Sequence, residues 1–260
     1  IKTGMWEGTG TAGLEINVGW QPSWILFKNA SSSGYNWYIL DVMRGVTRAS
    51  NFIIKPNSNE KEFESSYLEV TPTGFRIETT HALGNNNGSS YVYMAIRFPD
   101  GYVGKPAKVG TDVFAIDTGD GDSSIPNFDS GFPVAFALQR PNGMGYTGAF
   151  ARLLGHNVLY TATNGAQQAE SDGQSEFDSN LGWGASSSFQ ISTTQSYMWK
   201  RSAGFGVITY QGDAQIGRVV FHNLARSPEM IWIKKRDASE PWAVGHKGLN
   251  GGTNPWEYYL

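Results

Sequence analysis

Self-similarity limits what this chain can fold into more than any other feature: one pattern is written three times along its 260 residues. Pro22-Ser23-Trp24-Ile25-Leu26-Phe27-Lys28 answers Pro133-Val134-Ala135-Phe136-Ala137-Leu138-Gln139 and Pro228-Glu229-Met230-Ile231-Trp232-Ile233-Lys234. In each, a proline opens an apolar run that ends on a polar residue. Upstream of each proline lies a Gly-rich turn, at Glu7-Gly8-Thr9-Gly10, Gly119-Asp120-Gly121-Asp122 and Gln211-Gly212-Asp213, so one hairpin recurs. Downstream, Tyr93-Met94-Ala95-Ile96-Arg97 answers Tyr197-Met198-Trp199-Lys200-Arg201 and closes the first two copies. The third stops at Leu260, after Trp242-Ala243-Val244-Gly245-His246-Lys247-Gly248, which answers the segment from Trp37 to Gly45. The chain therefore reads as repeats over 1–100 and 101–202 and a truncated third over 203–260. A start without Met and a stop inside a repeat read as a fragment of something longer.

The runs between the turns alternate with period two or form short apolar blocks, at 14–18, 24–27, 35–40, 91–98, 113–117, 134–138, 205–210, 218–221 and 230–233. No segment holds a helical period over three turns. Aromatic residues reach 13% and favour a pleated, half-buried surface. The expected fold is all-β: tandem antiparallel β-sandwich repeats of jelly-roll or concanavalin-like type, too long per copy for a solenoid.

Charge and composition exclude several functions. A formal net charge of −3 with no dense basic run gives no support for binding nucleic acid. No apolar stretch is long enough for a membrane-spanning helix. With no cysteine there is no disulfide framework, thiol catalysis or Cys-ligated zinc. His81, His156, His222 and His246 are scattered singly, and neither a G-x-S-x-G elbow nor a phosphate-binding P-loop occurs. No cofactor is expected.

The strand Tyr91-Val92-Tyr93-Met94-Ala95-Ile96-Arg97, the phrase Phe128-Asp129-Ser130-Gly131-Phe132-Pro133-Val134, the strand from Tyr197 to Arg201 and His246-Lys247-Gly248-Leu249-Asn250-Gly251-Gly252 carry a resemblance. Along essentially its whole length the chain resembles tandem virion proteins of marine tailed bacteriophages, often encoded among tail-fibre or appendage genes. The resemblance implies a lectin-like or SPRY-like double-sheet sandwich in a virion, facing the host envelope after lysis. It supplies no catalytic residues. It leaves room for a homo-oligomer, trimers being common in phage fibres.

Four sets of residues invite a chemical reading. Asp117, Asp120 and Asp122 suggest a hard-cation loop, since calcium takes several oxygens at short spacing. The register is not that of an EF-hand and the matching turns hold few carboxylates, so a plain hairpin turn is preferred over calcium. Glu60, Glu62 and Glu64 would share one face of a strand, as in jelly-roll endoglucanases, yet their flanks are Ser- and Asn-rich and a solvated face is preferred. Asp41 with Arg44, and Arg152 near the matching place, read as a structural ion pair. Among the nine tryptophans, Trp24, Trp199 and Trp232 lie in repeat-matched strands and read as core. Trp37 with Asn36, and Trp183 with Asn180, sit in loops that differ between copies, where recognition usually resides, and are the candidate glycan-binding residues.

Two functions compete, both non-catalytic. One is a tail-fibre or appendage adhesin presenting loops to host-surface polysaccharide, weak per module and strengthened by copy number. The other is a purely structural virion subunit, a fibre shaft, collar or capsid decoration, contacting other virion subunits. A glycoside hydrolase using the glutamate strand is the third reading.

Overall fold

The computed structural model describes residues 1–46, 51–97, 107–120, 126–140, 145–169, 176–184 and 193–260. Every sheet in it is antiparallel, and the fold is an all-β sandwich. The chain divides into two units, Ile1–Pro99 with Val207–Asn223, and Asp100–Gly206 with Leu224–Leu260. No helix among the described residues is long and apolar enough to cross a membrane.

In unit 1, β1 (Lys2–Glu7), β3 (Pro22–Asn29), β4 (Tyr38–Asp41), β5 (Asn51–Ile54), β6 (Phe63–Ser65) and β9 (Ser90–Arg97) form a six-stranded sheet in the order β1-β9-β3-β4-β5-β6. β2 (Leu14–Asn17), β7 (Leu68–Thr71) and β8 (Gly74–Ile77) form the second layer in the order β2-β8-β7. Alternation turns Ile25 and Phe27 of β3 and Tyr91, Tyr93 and Ala95 of β9 inward, where all are buried. Trp6 of β1 joins the layers. Its ring stacks on Tyr91 at 5.0 Å and meets Phe75 of β8 edge-on at 5.8 Å, while its indole N–H donates to Gly84 O at 3.0 Å. Gly74 is required where β8 passes β2, because a Cβ there would lie 1.9 Å from the carbonyl oxygen of Ile16.

Unit 2 repeats this connectivity. β10 (Phe114–Thr118), β12 (Phe136–Arg140), β13 (Gly148–Ala151), β14 (Asn157–Tyr160), β15 (Gln168–Ala169) and β17 (Gln195–Trp199) run in the order β10-β17-β12-β13-β14-β15. β11 (Phe128–Asp129) pairs with β16 (Gly182–Trp183) in a separate two-stranded sheet. Gly182 opposes Asp129 as Gly74 opposes Asn17, and a Cβ at Gly182 would lie 2.0 Å from Phe128 O.

The inward face differs from the one that direct alignment of the sequences implies. Phe27 pairs with Tyr93, and Leu138 with Tyr197, but the first pair points into the core and the second does not. The inward set in unit 2 is Ala137, Gln139, Ser196 and Met198, one residue along each strand. Hydrogen bonding agrees: Val42 N–H donates to Ser23 O and Arg152 N–H to Ala135 O, which makes Ala135, not Val134, the counterpart of Ser23. A one-residue slip along both strands keeps the ladder and reverses its faces. Trp24 alternates with the inward Ile25 and Trp199 with the inward Met198, so both, expected in the core, are half-buried on the outer face, where Trp199 stacks on Phe205 at 5.8 Å.

Residues 224–260 add a hairpin to unit 2, β18 (Met230–Ile233) with β19 (Ala243–His246). Its register reproduces β3 with β4: Trp24, Ile25, Leu26 and Phe27 oppose Asp41, Leu40, Ile39 and Tyr38, and Met230, Ile231, Trp232 and Ile233 oppose His246, Gly245, Val244 and Ala243. Leu260 exchanges two backbone hydrogen bonds with Val244, at 3.0 and 3.3 Å. The runs 205–210 and 218–221, expected as strands, are not strands. β1 pairs with β9 and β10 with β17, each at the edge of its sheet.

Candidate functional site

The surviving recognition candidate is the loop joining β3 to β4. Asn29, buried at the end of β3, starts it: its Oδ1 accepts from the N–H groups of Ser31 at 2.9 Å and Ser32 at 3.1 Å, and its Nδ2 donates to Ala82 O at 2.8 Å. Lys28 Nζ donates to Tyr35 O at 2.6 Å and fixes the far side. The loop then meets the one after β5 through a pair of amides. Trp37 N–H donates to Asn57 Oδ1 at 3.0 Å, and Asn57 Nδ2 donates to Asn36 Oδ1 at 2.9 Å.

This leaves Trp37 37% exposed, beside two carboxamides. Neither the indole N–H of Trp37 nor the Asn36 NH2 group donates a hydrogen bond among the described residues. An aromatic plane flanked by unused donors on a hydrogen-bonded loop suits a sugar ring with its hydroxyls. Asn57, essential to the geometry, was not singled out in the sequence; its only signal there is its place in the Asn57-Ser58-Asn59 turn.

Trp183 is a correction. Expected in a recognition loop, it is 0% exposed on β16, with its ring 5.4 Å from Phe128, 5.0 Å from Phe150 and 5.2 Å from Phe177. Its indole N–H donates to Ser196 Oγ at 2.9 Å. The reason lies in the ladder, which places Trp183 opposite Phe128 as Phe75 stands opposite Ile16, the inward position of the second layer. Asn180 is exposed in the preceding loop, so the structure separates the two.

The carboxylate sets have local partners. Asp117 Oδ2 accepts from Asp129 N–H at 2.7 Å and ties β10 to β11; Asp120 is exposed; Asp122 lies outside the described residues. No group of three or more His, Asp or Glu side chains able to hold a metal occurs among the described residues. Of the three glutamates only Glu64 is on a strand. All three are exposed, Glu60 is paired with Lys55, and Glu62 lies 3.5 Å from Arg44. Arg44 also pairs with Asp41 at 2.7 Å, whereas Arg152 bonds the backbone carbonyls of Val134 and Phe177.

The Glu176 carboxyl has a pKa pushed up. Burial is the main cause, the charge of Asp178 adds to it, and His156 opposes it. A raised folded pKa means that the folded state holds the proton more tightly than the unfolded state. Stability therefore falls as pH climbs from the ordinary carboxylate value through the raised one. Glu176→Gln is expected to remove that fall, so denaturant midpoints of variant and parent should be closest near pH 4 and diverge in favour of the variant near pH 7.

Comparison with curated proteins finds no match, and comparison with solved structures finds none. A family described as domain of unknown function, DUF7483, matches residues 1–98 and 158–258, most of the chain. The chain therefore belongs to the DUF7483 family.

Proposed function

We propose that this protein is a non-catalytic virion component, a tail-fibre or appendage adhesin that binds host-surface polysaccharide through the β3–β4 loop of unit 1. The observation that carries this reading is the cluster of Trp37, Asn36 and Asn57, an exposed indole with unused donors beside it on a loop anchored by Asn29 and Lys28. The indole covers the apolar face of a pyranose while the two amides and the indole N–H take its hydroxyls. One such platform binds weakly, and many copies on a particle supply avidity. The ligand is host polysaccharide and the place of action the virion outside the lysed cell.

A second reading, a structural subunit contacting other virion proteins, is favoured by one observation. Trp242 precedes β19 as Trp37 precedes β4, and it donates its indole N–H to Tyr160 O at 3.0 Å. A tryptophan at this ladder position is there held by the chain's own backbone, which shows that the position can serve packing.

Trp37→Ala separates the two. On a glycan array with the protein clustered on a carrier, the adhesin reading expects each module to weaken by roughly tenfold, about 1.4 kcal/mol. Clustering should turn that into loss of signal, while the melting temperature stays close to that of the parent because the side chain is outside the core. An unchanged array profile contradicts the adhesin reading.

A further inference from the structure

Arg140, the last residue of β12, is an exposed cation that meets no carboxylate among the described residues; its guanidinium donates to Thr147 Oγ1 at 3.2 Å. The ladder sets it in a row, with Thr118 of β10 opposite Gln195 of β17 and Gln195 opposite Arg140. The next row on that face is Ile116, Tyr197 and Leu138. Ala137, Gln139, Ser196 and Met198 point into the core, so alternation turns both rows outward. Thr118 and Gln195 are exposed, Ile116 is 55% exposed and Tyr197 is half-buried. The side chains of Thr118, Gln195 and Tyr197 make no hydrogen bond among the described residues. With strands about 4.8 Å apart, the six side chains form a patch about 10 Å across, apolar along one row and hydrogen-bonding along the other.

Unit 1 fills the same place with different chemistry. With Ala135 the counterpart of Ser23, Arg140 is the counterpart of Lys28, which pairs with Val92 as Val92 does with Met5. The Lys28 ammonium donates to Tyr35 O at 2.6 Å, and the other two members of its row are apolar. The cation that ties down a loop in unit 1 is therefore presented to solvent in unit 2, beside an amide and a hydroxyl.

A guanidinium is a planar fork of five donors that matches a carboxylate with two parallel hydrogen bonds, and the bond to Thr147 orients this one while leaving donors free. A sugar ring offers an apolar face to an aromatic side chain and its hydroxyls to amides and hydroxyls. We infer that this strip on the outer face of unit 2 binds an acidic polysaccharide, with the carboxylate of a uronate residue on Arg140, its hydroxyls on Gln195 and Thr118, and its apolar face on Tyr197. The inference rests on the polysaccharide reading for its class of ligand, and on residues other than those of the β3–β4 loop.

The test places the whole chain, clustered on a fluorescent carrier, on an array of oligogalacturonate, oligomannuronate, their methyl esters and a neutral oligoglucan. Binding to at least one uronate oligomer is expected, about tenfold or more above its methyl ester, which keeps the ring and loses the charge. Arg140→Gln should bring the free acid down to the level of the ester and leave the ester unchanged. Arg140→Lys, which keeps the charge and loses the fork, should fall between. Trp37→Ala should leave uronate binding as it is, so that failure of the β3–β4 loop and failure of this strip are read separately. Absence of binding to both uronate oligomers, equal binding of acid and ester, or parental uronate binding by Arg140→Gln overturns the inference.

Discussion

Trp183→Ala is expected to destabilise unit 2 by about 3–5 kcal/mol, the cost of emptying an aromatic core site. The indole is fully buried among Phe128, Phe150 and Phe177, so truncation leaves a cavity and orphans the Ser196 hydroxyl that it bonds. Trp183→Phe should lose less, since it keeps ring contacts and gives up the hydrogen bond. Urea unfolding of parent and variants measures this, with unit 1 unaffected. A loss below about 0.5 kcal/mol, as at an exposed site, would return Trp183 to the surface and to the list of ligand-binding candidates.

Arg76→Met should cost unit 1 a comparable amount, about 3–5 kcal/mol, because it strands buried charge. Arg76 lies on β8 between Glu15 and Glu69 in the ladder, donates to Glu69 at 2.7 Å and to Glu78, and is buried with Glu69. Removing the guanidinium leaves the Glu69 carboxylate in a site that solvates it poorly. Adding Glu69→Gln should recover part of the loss, since the buried full charge is then gone from that rung. The same urea titration reads both variants, and a double variant no better than the single one contradicts this account.

The all-β architecture was legible in period-two runs and turns, and six of the nine runs matched a strand within two residues. β18, for instance, spans 230–233 as expected. What failed was face assignment. Matching Phe27 to Leu138 and Tyr93 to Tyr197 keeps a genuine ladder pair, so similarity alone could not expose the slip. Alternation within unit 2 was weak because the inward positions include Gln139 and Ser196, both polar and both buried. The tryptophans were misplaced too: Trp6 and Trp183 are the buried indoles, one from β1 and one from the sheet of β11 and β16, neither of them in the matched strands. One signal was available. Gly74-Phe75 and Gly182-Trp183 are the same dipeptide in kind, a glycine that lets strands approach followed by an inward aromatic. The missing strands at 205–210 and 218–221 were beyond local sequence, because their pairing depends on a partner distant in the chain.

The candidate site was half legible. Asn36 and Trp37 stand in an exposed loop as expected, but the residue that organises them, Asn57, comes from another loop and is found only through its two hydrogen bonds. Trp242 carries the opposite lesson, since a matching tryptophan is taken up by Tyr160.

Binding of the clustered protein to intact candidate marine bacteria, before and after periodate oxidation of their surface sugars, tests the central claim most directly. The adhesin reading predicts binding that periodate abolishes and that Trp37→Ala also removes. Absence of binding to every strain, while the protein still attaches to purified virions or self-assembles, would contradict it and leave a structural subunit.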